Sequence, residues 1–188
     1  YVEASTGGST GKVYLTQVGP VTLGNINVNE LYVTQTSTGG GNHITQKAGT
    51  TLTVNGLAQF SNGDTAANLV LNNAGNNFIG SVVTTGGTNA TIRDDIGNLA
   101  VGNMNQTGAV TLTATNGSIS GSTIDGVSLT ASAANGINLS GGGNLVTASL
   151  INTTSGNITY TSALANDTLM LTVTGSNGSG RSPPAQRA

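Results

Sequence analysis

Acidic side chains are the residues of this chain best suited to catalysis, because enzymes that cleave polysaccharides use closely placed carboxylates as acid, base or nucleophile. The chain has seven carboxylates: Glu3, Glu30, Asp64, Asp94, Asp95, Asp125 and Asp167. The only close pair is Asp94 and Asp95, and consecutive residues of a strand face opposite sides. The sequence therefore predicts solvated carboxylates in turns and neither a hydrolase nor a lyase.

The single histidine, His43, follows the glycine-rich segment 39–41. One imidazole cannot form a catalytic triad, and with no cysteine and scattered carboxylates it cannot complete a metal site. The glycines at 141–143 lack the Lys-Ser or Lys-Thr of a phosphate-binding loop. The phrase 62–64, Asn-Gly-Asp, stands alone, whereas calcium-binding repeats need several copies. We therefore predict no catalytic residue, no metal and no cofactor.

Regularly spaced hydroxyl groups are the remaining candidates for a function. The tetrapeptide 112–115 (Leu-Thr-Ala-Thr) returns at 129–132 (Leu-Thr-Ala-Ser) and at 146–149 (Val-Thr-Ala-Ser), each copy 17 residues after the last. Side chains of a strand alternate between its two faces, so one face should be apolar and the other should carry hydroxyls. The predicted stacking core is Leu112, Ala114, Leu129, Ala131, Val146 and Ala148, and the predicted outward hydroxyl rows are Thr113, Thr115, Thr130, Ser132, Thr147 and Ser149.

The repeat also predicts the elements that position these rows. Self-similarity at a fixed spacing is typical of stacked repeats, and 17 residues are too few for a pair of helices. Each copy is followed by a turn containing Asn and Gly, at 116–117, 135–136 or 156–157, and then by a second short strand. We predict an all-β fold, a right-handed parallel β-helix of about nine short coils if each takes roughly 20 residues. An antiparallel sandwich is the competing fold, because its strands also recur at short intervals.

Composition restricts the possible partners. Charged residues make up 6% of the chain, against roughly 25% in an average soluble domain. Five basic residues cannot neutralise a phosphate backbone, so we predict no nucleic-acid partner. No apolar run approaches the length of a membrane-spanning helix, and we predict no membrane insertion. Cysteine is absent, so stability must come from stacking, and this is compatible with an exported protein that crosses membranes unfolded.

Two phrases of the sequence resemble a known family. The run 71–83 reads Leu-Asn-Asn-Ala-Gly-Asn-Asn-Phe-Ile-Gly-Ser-Val-Val, and 110–115 reads Val-Thr-Leu-Thr-Ala-Thr. Together they resemble the rod repeats of filamentous-haemagglutinin-like exoproteins of Gram-negative bacteria, over residues 50–175. The resemblance implies a β-helical rod, secreted by a two-partner or autotransporter route, displayed on the cell surface and used in adhesion, biofilm formation or virulence. The Asn-Pro-Asn motifs of the family's secretion domain are absent from this sequence, so the resemblance implies a segment of the shaft.

From these patterns we expect a lead-in segment at 1–11, a β-helix at 12–174 and a flexible tail or linker at 175–188. Tyr1 is not preceded by a signal peptide, which predicts a processed product or a piece of a longer protein. The expected location is extracellular, at the bacterial surface, and the expected partner is a surface glycan or protein of a host or neighbouring cell.

Two alternatives stay open. The chain could instead be a self-assembling subunit, joined to copies of itself end to end through open coil edges or by strand exchange. Ice binding is a minor alternative, because the hydroxyl rows do not extend obviously through residues 12–105. The aromatic residues are too few and too dispersed for a platform on which sugars stack.

Overall fold

The computed structural model describes residues 1–6, 10–143, 145–162 and 170–175, and the regular structure in these residues is entirely β. The strands are β1 (Val2–Ser5), β2 (Lys12–Gln17), β3 (Val21–Val28), β4 (Glu30–Gln35), β5 (Ile44–Gln46), β6 (Leu52–Val54), β7 (Ala58–Asn62), β8 (Asn68–Leu71), β9 (Asn77–Phe78), β10 (Ser81–Thr85), β11 (Asn89–Asp94), β12 (Leu99–Asn105), β13 (Ala109–Ala114), β14 (Ile119–Gly121), β15 (Ile124–Asp125), β16 (Ser128–Ala133), β17 (Ile137–Leu139), β18 (Thr147–Asn152), β19 (Ile158–Tyr160) and β20 (Met170–Gly175). Buried and more exposed positions alternate along most strands, as the two-residue period of a strand with one buried face requires.

The strands form two sheets, and the chain passes from one to the other and back in each turn. Sheet A has the order β20-β18-β16-β13-β11-β8-β5-β3-β6-β9, with β1 beside β3. Sheet B has the order β19-β17-β14-β12-β10-β7-β4-β2, with β15 beside β12. The strand pairs described in both sheets are parallel. The predicted parallel β-helix is therefore confirmed, and the antiparallel sandwich is excluded; the handedness stays a prediction. The described residues form about eight turns, close to the nine predicted.

A narrow apolar core lies between the sheets. Its inward side chains are mostly Val, Leu, Ile and Ala, and the largest fully buried ones are Phe60 and Phe78. Neighbouring turns alternate large and small side chains in one column, as in Leu112, Ala131 and Leu150. This alternation lets backbones about 4.8 Å apart fill the space between the sheets without voids.

The stacking register differs from the predicted one. Val110 pairs with Leu129, and Leu129 pairs with Ala148, so successive turns are offset by 19 residues and not by 17. Because side chains alternate with a period of two, a slip of two residues keeps each side chain on its face. Five of the six predicted core residues are therefore buried: Leu112, Ala114, Leu129, Ala131 and Ala148. The prediction for Val146 was wrong, because this residue precedes β18 and is 56% exposed.

In the third and fourth turns, the sheet A strand is split by a short loop, giving β5 with β6 and β8 with β9. Both parts of the third turn pair with the continuous strand β3. The buried side chain of Asn76 accepts the amide proton of Leu52 at 3.0 Å, where the split strand lacks a backbone partner. Its amide also exchanges two hydrogen bonds with Gln46, at 2.8 and 2.9 Å. The loops hide the repeat in the sequence but leave the stack intact.

The first turn begins earlier than predicted. Strand β1 lies within the segment 1–11 expected to be a lead-in, and it pairs with β3 through Val2 and Ala4. At the other end, Gly175 is the last residue of β20. The remainder of the predicted tail, 176–188, lies outside the described residues.

Candidate functional site: the outer face of sheet A

A column of hydroxyl side chains runs along the middle of the outer face of sheet A. In register order its members are Thr22, Thr45, Val70, Thr91, Thr111, Thr130, Ser149 and Thr172. Only Val70 lacks a hydroxyl group. The spacing between neighbours is set by the parallel ladder, at about 4.8 Å. This column, which we call the threonine column, extends through the turns in which the sequence showed no hydroxyl row.

The predicted hydroxyl rows were wrong in their pairing for the same reason as the core register. Thr130 and Ser149 belong to the threonine column, whereas Thr113 and Ser132 form the next column, between Arg93 and Ile151. Thr147 lies beside Ser128 on the other side. Thr115 follows the end of β13, and its hydroxyl donates to Asp95. The predicted hydroxyls thus lie on or beside the outer face of sheet A, but in three columns and at a corner.

The outer face of sheet A is regular and nearly free of charge. From β3 to β20, the outward strand positions carry one charged side chain, Arg93, whose Nε lies 2.6 Å from Asp95 Oδ1. Hydroxyls of adjacent turns approach each other, as Thr22 and Thr45 do at 3.4 Å. A β-branched side chain in a strand has restricted χ1 freedom, so the threonine column presents hydroxyl and methyl groups in fixed positions. Such a face suits a flat partner with its own short repeat.

The sequence contained an indication of this column that the search for tetrapeptides missed. The triplet Val-Thr-Leu occurs at 21–23 and again at 110–112, and Ala-Thr-Ile at 90–92 has the same form. In each, the threonine points outward between two buried side chains. A search for an apolar-Thr-apolar triplet would have found members of the column on both sides of residue 105.

The outer face of sheet B differs from that of sheet A, because it carries aromatic and charged groups in its first two turns. The rings of Tyr14 and Tyr32 are stacked, with centroids 4.6 Å apart and planes 8° apart. Lys12 Nζ lies 2.8 Å from Glu30 Oε2, which also accepts the Tyr32 hydroxyl at 2.6 Å. Hydrogen bonds from Lys12 and then Tyr32 lower the pKa of Glu30. The expectation that the aromatic residues are dispersed was wrong for this pair, although two rings do not make an extended platform.

Two of the candidate acids are structural and not solvated as predicted. Asp94 is fully buried and accepts the amide protons of Phe78 at 2.7 Å and of Ile96 and Gly97 at 2.9 Å. Asp64 is 1% exposed and accepts amide protons from two loops. The first is the amide of Ala66 at 2.9 Å, and the second is the backbone amide of Asn42 at 3.2 Å. These hydrogen bonds lower the pKa of Asp64 against the opposing effect of burial.

Asp95 faces away from Asp94, as alternation along the strand predicts, so the two carboxylates do not form an acid pair. Partial burial raises the pKa of Asp95, but hydrogen bonds from Arg93, Thr115 and the Gly75 amide outweigh it and lower the pKa overall. His43 is also structural, since its Nδ1 accepts the amide proton of Asn68 at 2.9 Å. Within the described residues, no group of three or more His, Cys, Asp or Glu side chains could hold a metal ion.

Together the parallel stack, the narrow core and the regular outer faces define a β-solenoid repeat protein. Residues 10–85 match a family model described as repeats of unknown function (DUF5649). This stretch runs from the start of β2 to the end of β10, and the chain is similar to that family over this part of its length. No curated protein and no solved structure matches the chain. In the part of the chain that the structure describes, no helix is long and apolar enough to cross a membrane.

Proposed function

We propose that this chain is a structural or adhesive segment of a secreted bacterial surface β-solenoid, of the kind that forms the shaft of an adhesin, and that it catalyses no reaction. The observation that carries the proposal is the continuous parallel ladder, which links every turn from β1 to β20 through one or other sheet. The resemblance of 71–83 and 110–115 to haemagglutinin-like rod repeats supports the same role. On this proposal the protein acts outside the cell, by reach and stiffness.

The mechanism is that of a rigid spacer. Backbone hydrogen bonds of the two sheets run along the axis, so bending the rod would stretch them in both sheets at once. Each turn adds about 4.8 Å, and eight turns add about 35 Å of length. The scarcity of charge on the outer face of sheet A leaves hydroxyl and amide groups as the contacts for a glycan or protein of another cell.

The test places the chain between a bacterial outer-membrane anchor and an epitope, in one copy and in two tandem copies. We expect the epitope to be displayed on intact cells, and its distance from the membrane, measured by electron microscopy or by fluorescence, to increase by about 35 Å with the second copy. Binding of the displayed chain to host cells or to a glycan array separates an adhesive segment from a pure spacer. Retention of the chain inside the cell, or an unchanged distance with two copies, would contradict the proposal.

A second candidate, ice binding, is favoured by the threonine column. The sequence gave a reason against it, since the rows seemed to stop before residue 105, but the column continues through Thr91, Thr45 and Thr22. Fixed hydroxyl and methyl groups at a short axial repeat can order a layer of water that fits a crystal surface. Thermal hysteresis of the purified chain is the measurement that decides.

The matched variants for that measurement lie on the two faces. We expect Thr111→Lys with Thr130→Lys on sheet A to abolish any thermal hysteresis, and Thr16→Lys with Thr34→Lys on sheet B to leave it unchanged. Hysteresis that is absent from the natural chain, or lost equally in both double variants, would count against an ice-binding face. End-to-end assembly into filaments stays a prediction.

A further inference from the structure

A cluster of buried amide groups lies where the chain leaves sheet B in the second and third turns. Gln35 ends β4 and Asn62 ends β7, and the two residues pair directly in the ladder. Gln35 is 1% exposed and Asn62 is 7% exposed. Among the described residues, no protein group pairs with Gln35 Nε2, Gln35 Oε1 or Asn62 Nδ2. Three polar atoms therefore meet inside the solenoid without a protein partner.

Elsewhere in the core, buried amides find each other. Gln46 and Asn76 exchange two hydrogen bonds, and Gln106 accepts the Thr84 hydroxyl at 2.8 Å while its own amide donates to the Gly86 carbonyl at 2.8 Å. Buried polar groups of folded proteins are nearly always paired with protein or with ordered water. The side chains of Gln35 and Asn62 are held in an arrangement that leaves a bridging ligand as the way to satisfy them.

The turn that follows leaves room for such a ligand. Gly86 and Gly87 lie next to Asn62 in the adjoining turn, both with positive φ, at 75° and 85°. A Cβ atom added at Gly87 would lie 3.6 Å from Asn62 Nδ2, which is ordinary contact distance. The missing side chain thus leaves a space of about one methyl group beside the unpaired amide.

The chemistry of the three atoms selects the ligand. Two of them, Gln35 Nε2 and Asn62 Nδ2, are donors, and Gln35 Oε1 is an acceptor. Asn62 Oδ1 already accepts the amide proton of Asp64 at 3.2 Å, which fixes the orientation of that amide. A cation would leave both donors unpaired, and an anion would leave the acceptor unpaired. Water both donates and accepts, and a buried water typically makes about three hydrogen bonds.

We propose that one water molecule is bound between Gln35 and Asn62 and is a permanent part of the fold. It accepts hydrogen bonds from both side-chain amides and donates one to Gln35 Oε1. The water joins two adjacent turns at the point where sheet B ends, in the part of the chain that resembles the repeat family. It is independent of the proposed role as a shaft, so the two can fail separately.

The direct test uses the natural chain and nuclear magnetic resonance. We expect cross-peaks between water and the side-chain amide protons of Gln35 and Asn62, with the sign of a water that stays for longer than nanoseconds. The amide protons of Gln46 and Asn76, which are paired directly, are the internal control and should show none. An absence of water cross-peaks at Gln35 and Asn62, or a crystal structure in which the two amides bond directly to each other, would overturn the proposal.

A pair of matched variants gives a second readout. Gln35→Met removes two of the three contacts of the water, and we expect the cross-peak at Asn62 to disappear and Tm to fall by several degrees, since about 2–4 °C accompanies each small loss of stability in a chain of this size. Gln17→Met makes the same change one turn earlier in the same column, where the side chain is exposed. It should alter neither measurement. A Gln35→Met protein with unchanged Tm and an intact cross-peak at Asn62 would refute the bridge; if that variant does not fold, the spectrum of the natural chain decides alone.

Discussion

The first five turns and the last three close their corners by different means. In the first five, strands β1 to β12, buried polar side chains take part in the corners: Gln35, Thr50, Asn62, Asp64, Asn76, Thr84, Asp94 and Gln106. In turns six to eight, strands β13 to β19, Asn152 is the one buried polar side chain among the described residues. There, backbone atoms and glycines make the corners, as where the amides of Ala134 and Asn135 donate to the Gly117 carbonyl.

This difference explains where the repeat is visible in the sequence. A corner built from backbone atoms and glycine needs the same short phrase in every turn, so copies in turns six to eight resemble one another. A corner closed by a side chain can hold loops of different length, because an Asp, Asn or Gln replaces the backbone groups that the loop removes. One column shows both means: Asp94 is followed in register by Ala114, Ala133 and Asn152. Turns therefore diverge in sequence without losing register.

The largest expected effect tests the register within the visible repeat. By the tetrapeptide alone, Leu129 and Val146 are equivalent, but Leu129 is 1% exposed and Val146 is 56% exposed. Leu129→Ala should reduce the free energy of unfolding by about 3–4 kcal/mol, because its column neighbour Ala148 cannot fill the cavity. Val146→Ala is the matched control and should cost less than about 0.5 kcal/mol. Denaturant unfolding measures both, and equal losses would restore the 17-residue register.

A glycine corner of the last three turns is the next to break. A Cβ atom at Gly117 would overlap the carbonyl group of Gly97 in the turn before, whereas a Cβ at Gly97 would meet nothing closer than Asn77 Oδ1 at 3.7 Å. Gly117→Ala should therefore cost about 3 kcal/mol, because two backbones must move apart. Gly97→Ala, one turn away, should change stability by less than about 0.5 kcal/mol. If both variants unfold at the same denaturant concentration, the corner is not held by close contact.

A side-chain corner of the first five turns should respond to a different change. Asp94→Ala places in the column the residue that Ala114 and Ala133 already provide, so the methyl group fits. It leaves the amides of Phe78, Ile96 and Gly97 without their acceptor, and we expect a loss of about 2–3 kcal/mol. Asp94→Asn retains one acceptor oxygen and should lose less. Hydrogen exchange at those three amides reports the local effect, and unchanged protection in Asp94→Ala would show that the carboxylate does not close the corner.

The fold was predictable from the sequence because the alternation of apolar and polar residues survives every insertion. The inward position of Leu112 and Ala131 follows from that alternation, whatever the length of the loop between them. The register was not predictable, since a two-residue slip leaves the same faces buried and only the structure distinguishes Leu129 from Val146. The burial of Asp94 was missed because it depends on Phe78, whose amide belongs to a strand that an inserted loop displaced. The length of the threonine column was missed because its members stand in triplets and not in the longer repeated phrase.

The smallest effect concerns acid, and it should also fall unequally on the two parts of the molecule. The pKa of Asp64 is held below the ordinary value of 3.8 by hydrogen bonds from Ala66 and Asn42. A carboxylate whose folded pKa is depressed stabilises the fold above its unfolded pKa and loses that contribution as the pH falls through the folded value. We therefore expect the amides of Ala66 and Asn42 to lose hydrogen-exchange protection below about pH 4, before those of β13 and β16 do. Asp64→Asn should be less stable at neutral pH and should lose this acid dependence, because the amide cannot titrate. Loosening that begins in β13 and β16, or an acid dependence that persists in Asp64→Asn, would assign the acid sensitivity to a different group.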